Sequence, residues 1–291
     1  MLRTDSPAIA FDFDGTLINS GLDKGIHIMY AVWSAFRENG IGHYLHPEDI
    51  KTDIDRMLAA YILYPGAPRF QQLSALSNSL INQEADSVDE ADLSVFPDDA
   101  AAVYPNIKSS YNRIYSRLND TAAELYWRPF PAVPETLRKL AQSLDLYIAS
   151  GVTEDLLFGD LERHSIDKNL FRGIFGGNLR GGADKAELLR GIRDRGYPGL
   201  LFVADSNRDL IYARQAGACF FRIRENEDFN RLTRSLENRL PDETENWTFT
   251  TEELDFFRRK TQTILQSILM TERYEDYKMI TGIIHSPCDS D

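Results

Sequence analysis

Two carboxylates one residue apart, Asp12 and Asp14 in FDFDGTL, follow a short apolar run, and a second pair, Asp205 and Asp209 in VADSNRD, follows another. Ser150 in IASG and Lys185 in GGADKAELL lie between the pairs. Carboxylates serve as nucleophiles, as proton carriers and as ligands for hard cations. Four of them within a few ångströms would repel one another until one took up a proton. A divalent cation removes most of that cost. Hard oxygen ligands suit Mg²⁺, which binds through one or two carboxylates, water and a substrate phosphate. With Lys185 as a further cation, such a pocket accepts a phosphate.

Residues this far apart in sequence meet only if the fold gathers them. Apolar runs at Ala8 to Phe11, Leu146 to Ala149, Leu200 to Ala204 and Cys219 to Ile223 read as buried parallel strands. Helical patterns alternate with them at Pro134 to Leu144, Thr153 to His164, Lys185 to Arg195 and Arg208 to Ala216. That alternation implies an α/β fold, a parallel sheet covered by helices on both faces. Ligands bind beyond the carboxyl ends of such strands, where all six residues fall.

From about Ser20 to Arg128 the alternation stops. Helical patterns alone remain, at Leu22 to Glu38, Pro47 to Leu63, Arg69 to Gln83 and Asp98 to Tyr126. The stretch reads as an all-helical insertion, in which Tyr30 and Trp33 at helical spacing pack its own core. Glu84 to Asp99 holds seven acidic residues and no basic one, which describes a solvated loop. His43, His46, Arg56 and Arg69 are ordinary for a helical surface and are assigned no role. The expected domains are a core of 1–19 and 129–240, a helical cap of 20–128 and a C-terminal helical extension of 241–291. Thr250 and Glu253 have capping-box spacing before a helix with Leu254, Phe257, Thr261, Ile264, Leu265 and Ile268 on one stripe. That stripe is expected to dock on the chain's own core; the alternative is a homodimer or partner contact.

The composition narrows the partners. Acidic residues outnumber basic ones 45 to 32, a net charge of −13 that repels nucleic acid. No apolar run approaches the ~18 residues that span a membrane, and the N-terminus MLRTDSP lacks a signal-peptide core. Cys219 and Cys288 are too few for a disulfide framework, and Cys219, in the apolar run ACFFRI, reads as a buried thiol. A cytoplasmic chain is expected.

Each motif also has a plainer reading. DFDG is not a calcium loop, because an EF-hand places its glycine sixth and here Gly15 would be fourth. Asp12 and Asp14 could cap a helix, Ser150 before Gly151 could make a turn, and Lys185 could be a solvated helix residue with Arg180 in its place. Ser206 or Asn207 could cap the helix after Asp205, a role compatible with cation binding by the two aspartates. The four motifs in order favour chemistry. Gly15 permits a tight turn, and free N–H groups from Phe13 onward are expected to form an anion-binding nest.

The same order of motifs resembles the haloacid dehalogenase superfamily, in its phosphatase branch with a helical cap of the phosphoglycolate phosphatase and phosphoglucomutase kind. The resemblance covers residues 8–19 and about 129–224, including PFPAVPETLRKL and DLIYARQAGA. It implies a Rossmann-like three-layer core and Mg²⁺-dependent hydrolysis of a phosphomonoester of a small metabolite. It makes Asp12 the nucleophile and a metal ligand, and Asp14 the general acid and base that also lends its backbone carbonyl to the metal. Ser150 and Gly151 would bind the transferring phosphoryl group and Lys185 would steady it. Asp205 would hold the metal directly, and Asp209 directly or through water. Three positions depart from the family pattern: Ala204 stands for the usual Gly, Ser150 for the commoner Thr, and Lys185 has no Pro after it. Dehalogenase and phosphonatase chemistry are disfavoured by Asp14. A phosphomutase is the alternative within the family, and a non-catalytic binding or regulatory module the alternative outside it. A binding module would show no metal-dependent turnover.

Overall fold

The computed structural model describes residues 5–40, 98–125, 127–152, 154–177, 185–236 and 240–245, with 259, 263–266, 268 and 270. Five strands, β1 (Ala8–Phe11), β2 (Asp145–Ser150), β3 (Phe171–Gly176), β4 (Leu200–Ala204) and β5 (Cys219–Arg222), form one sheet. Their order is β3-β2-β1-β4-β5, and every pairing is parallel. Seven helices of eight residues or more accompany them among the described residues: α1 (Gly21–Glu38), α2 (Asp98–Leu125), α3 (Val133–Ala141), α4 (Glu154–Arg163), α5 (Lys185–Arg193), α6 (Asn207–Ala216) and α7 (Asp228–Ser235).

Alternation along the strands decides which helix covers which face. Ile9, Phe11, Leu146, Ile148, Leu201, Val203 and Phe221 point to one side, where they pack with Val133 and Leu137 of α3, Leu157 and Leu161 of α4, and Phe229 and Leu232 of α7. Ala8, Ala10, Tyr147, Phe202 and Phe220 point to the other, against Leu189 and Ile192 of α5 and Leu210 and Ala213 of α6. The result is the three-layer α/β core expected from the sequence. Strands buried on both faces explain why they read as unbroken apolar runs.

The boundaries follow local chemistry. Helix α6 starts at Ser206, whose Oγ accepts from the Asp209 amide, and stops at Gly217, which is left-handed at φ 66°. Two elements escaped the sequence reading. In β3, FRGIFG mixes an arginine and glycines into the apolar pattern and is only partly buried at the sheet edge. Helix α7 is short, with only Phe229 and Leu232 buried. Cys219, expected to be buried, is half-buried.

At the amino end of the strands a polar network ties β2 and β3 to the segment before β4. Tyr197 donates its hydroxyl hydrogen to Asp145 Oδ2 at 2.9 Å and shares a 2.6 Å hydrogen bond with the Tyr147 hydroxyl. Arg172 Nε donates to Asp145 Oδ1 at 3.0 Å. Asp145, at 2% exposure, thereby gains partners that a buried carboxylate needs.

Contacts divide the described chain into two compact units. One holds the residues up to Lys24 and those from Asp120 through 245, and contains the sheet. The other holds α1 from Gly25, α2 up to Asn119, and the described residues between 259 and 270. Within it Tyr30 and Trp33 are buried and stacked at 6.3 Å, and Arg37 lies 4.7 Å from the Trp33 ring centre. Asn39 Nδ2 donates to Ser110 Oγ at 3.2 Å, and Arg113 pairs with Glu38, joining α1 to α2. Leu265 and Ile268 are buried and Ile264 half-buried. The expected helices at 47–63 and 69–83, most of the acidic stretch, His43, His46, Arg56, Arg69 and Arg180 lie outside the described residues. No helix among the described residues is long and apolar enough to cross a membrane.

Candidate active site

The chain runs from β1 to β3 on one side of the sheet and returns through β4 and β5 on the other, so direction reverses between the adjacent strands β1 and β4. The crevice beyond the carboxyl ends at such a reversal is where open α/β sheets bind ligands. Asp12 follows β1 and Asp205 follows β4, so the two flank it. Asp209 enters from the first turn of α6 and Lys185 from the first residue of α5.

Carboxylate oxygens of Asp12, Asp205 and Asp209 all lie within 4.8 Å of one another. Lys185 Nζ stands 2.7 Å from Asp12 Oδ2 and 2.6 Å from Asp209 Oδ1. Asp12, Asp209 and Lys185 are 5%, 3% and 7% exposed, so water screens these charges little. Burial pushes the Asp12 carboxyl up to about 6; Asp209 and Asp14 add to this, and Lys185 opposes it. Burial also pushes the Asp205 carboxyl well above its ordinary value, with Asp209 and Asp12 adding repulsion and Lys185 opposing it. Although Asp205 as a residue is only half-buried, its carboxyl lies hard against Gly15, where a Cβ would stand 2.1 Å from Oδ2. For Lys185, burial favours the neutral amine, but Asp12 and Asp209 outweigh it and hold the ammonium charged. One ammonium faces three carboxylates, so pairing leaves negative charge uncompensated. Three converging hard oxygens with excess negative charge fit a small divalent cation.

The remaining expected residues surround this cluster. Asp14 lies outside the carboxylate group; its side chain pairs with Lys24 at the start of α1 and meets Ser20 Oγ at 3.5 Å. Ser150, 1% exposed, ends β2 beside β1, with its Oγ 3.4 Å from the Val152 amide; Gly151 follows it. The turn amides differ from expectation. Phe13 N already donates to Asp12 Oδ1 at 2.8 Å and Gly15 N to Ser20 Oγ at 2.9 Å, so these two stiffen the turn instead of offering a free nest. Gly15 does turn tightly, at φ 76°. Of the two candidate caps for α6, Ser206 is the one used; its Oγ also contacts the Asp209 carboxylate, which aims it.

Ser20, Lys24 and Arg222, whose Nη1 donates to the Asp205 carbonyl at 3.2 Å, were not singled out from the sequence. Ser20 and Lys24 stand six and ten residues after Asp14, and a search for polar partners near the motif could have found them. Nothing in the sequence ties Arg222 to Asp205.

The chain matches no protein-family model and no curated protein. Among solved structures it is similar to a haloacid dehalogenase-like family hydrolase from Streptococcus pneumoniae, at 20% identity over 78% of this chain and 91% of that one, TM-score 0.46. It is also similar to a predicted phosphoglycolate phosphatase from Haemophilus somnus 129PT, at 21% identity over 75% and 85%, TM-score 0.47. A hydrolase from Pseudomonas syringae matches at 18% identity over 82% and 94%, TM-score 0.45. At these levels the likenesses carry no argument about chemistry, which rests on this chain's own residues.

Proposed function

We propose that the chain is a phosphohydrolase of the haloacid dehalogenase kind, cleaving a phosphomonoester of a small soluble metabolite through an aspartyl-phosphate on Asp12. What supports the reading is the meeting of Asp12, Asp205, Asp209 and Lys185 in the crevice between β1 and β4. An Asp12 carboxylate oxygen attacks phosphorus, and the bond from phosphorus to the leaving oxygen breaks. Asp14, once its pairing with Lys24 opens and it carries a proton, gives that proton to the leaving oxygen. Water then attacks the aspartyl-phosphate, passing a proton back to Asp14, and phosphate leaves with Asp12 restored. Lys185 compensates charge on the phosphoryl oxygens, and the Ser150 hydroxyl and Gly151 amide orient them. Mg²⁺ held by Asp12, Asp205 and Asp209, with the Asp14 carbonyl, would neutralise phosphate charge that otherwise repels the nucleophile.

The segment 20–128 would act as a cap that excludes water and selects the substrate. Docking of the segment after Thr250 on the chain itself is the reading that the burial of Leu265 and Ile268 supports, and a homodimer through that segment is the alternative. Scarce cysteine fits a reducing cytoplasm. Hydrolysis of p-nitrophenyl phosphate tests the reading: EDTA should abolish it, Mg²⁺ should restore it, and Ca²⁺ should restore it poorly because its larger shell misplaces the nucleophile. Full activity after dialysis into EDTA, or phosphate trapped on a residue other than Asp12, would refute it.

A further inference from the structure

Arg222 ends β5 with 4% of its surface exposed. A guanidinium so enclosed loses its water and needs partners for a fork of fixed donors. Its Nη1 donates to the main-chain carbonyl of Asp205 at 3.2 Å, and its charge lies 5.2 Å from the Phe220 ring centre. Nη2 is buried without a hydrogen-bond partner. A buried charge with an incompletely satisfied fork is a poor way to fill space, since apolar side chains of similar volume are often neutral or stabilising in such places. The hydrogen bond it makes goes to the acidic loop.

That bond falls where the loop takes its direction. The Ile223 amide, next along the chain, donates to the Ala204 carbonyl at 2.9 Å. Two successive carbonyls, of Ala204 and Asp205, are thus held from β5 as the chain leaves β4 and turns into α6. On the far side Ser206 closes the turn by accepting from the Asp209 amide at 3.2 Å. With both sides tied, the Asp205 backbone is fixed where its carboxyl projects beside Gly15.

We infer that Arg222 is a positioning residue for the cation site, holding the Asp205 carbonyl so that the Asp205 carboxylate stays in reach of those of Asp12 and Asp209. This rests on the reading of the three carboxylates as a cation site. Supporting groups behind metal ligands typically affect affinity by roughly 10–100-fold. Burial works against the charge on Arg222, and Arg224 adds to that; Glu243, Asp205 and Asp209 work for it.

Mn²⁺ binding to the full chain, read from loss of the free-ion electron paramagnetic resonance signal, tests this without turnover. The parent should bind Mn²⁺. Arg222→Gln should weaken binding about tenfold or more. Arg222→Lys should lose less, because it keeps the charge but not the planar fork. Melting temperatures in EDTA measure the structural share separately. A lowered melting temperature with Mn²⁺ affinity equal to the parent's, in either folded variant, overturns the inference. If Arg222→Gln does not fold, Arg222→Lys decides by the same criterion. A parent that binds no Mn²⁺ overturns the cation-site reading and this inference with it.

Discussion

If Asp12 carries its charge at a cost to the fold, removing that charge should stabilise the metal-free protein in a pH-dependent way. Its carboxyl lies at about 6 in the folded chain against 3.8 as the ordinary value, a rise of about two pH units. Between those values the folded protein holds a proton that the unfolded chain has released, so stability falls as pH rises through the window and stays lower above it. At about 1.36 kcal/mol per unit the loss is about 3 kcal/mol, and Asp205, shifted the same way, adds to it. Asp12→Asn lacks the titration. Urea unfolding in EDTA from about pH 4 to about pH 7.5 should therefore show the variant gaining on the parent by about 3 kcal/mol across the range. Mg²⁺ at the upper pH should restore the parent, because it binds the folded form. Parallel curves for parent and variant would refute the account of crowding at the site.

Gly15→Ala should lower turnover by roughly 10²-fold because the new methyl displaces the Asp205 carboxyl, while stability falls only by the lesser effect of a left-handed alanine, ~1 kcal/mol; steady-state kinetics beside thermal melts check this. Asp14→Asn should cost about 10²–10⁴-fold on alkyl phosphates and less on p-nitrophenyl phosphate, whose leaving group needs no proton; equal losses on both would exclude Asp14 as the acid. Ile268→Asp should destabilise by at least about 2 kcal/mol, because the side chain is 4% exposed within the single chain; calorimetry reads the effect, and a melting temperature equal to the parent's would refute it.

What the sequence made legible was what neighbouring residues decide. Leu200 to Ala204 is apolar at every position because both faces are covered, so β4 could be read residue for residue, and Asp205 with it. Edge strand β3 carries less of that signal, since only Phe171 of FRGIFG is fully buried, Arg172 is exposed and the rest is half-buried. The pairing of Lys185 with both Asp12 and Asp209 joins three segments through the fold, and the sequence offered only their types and order. Lys24 was hidden differently: it reads as one cation on a helix, and its partnership with Asp14 depends on where β1 hands the chain to α1. Arg222 was least visible, because its partner is a main-chain carbonyl, which every residue has.

The network of Arg172, Asp145, Tyr197 and Tyr147 has a dynamic consequence. It fastens β2 and β3 to the segment before β4 at the amino end of the strands, while the carboxylates gather at the opposite end. Local opening of such a sheet should begin at the mouth and die out toward the clamp. Amide exchange along β2 should then rise from Asp145 toward Ser150.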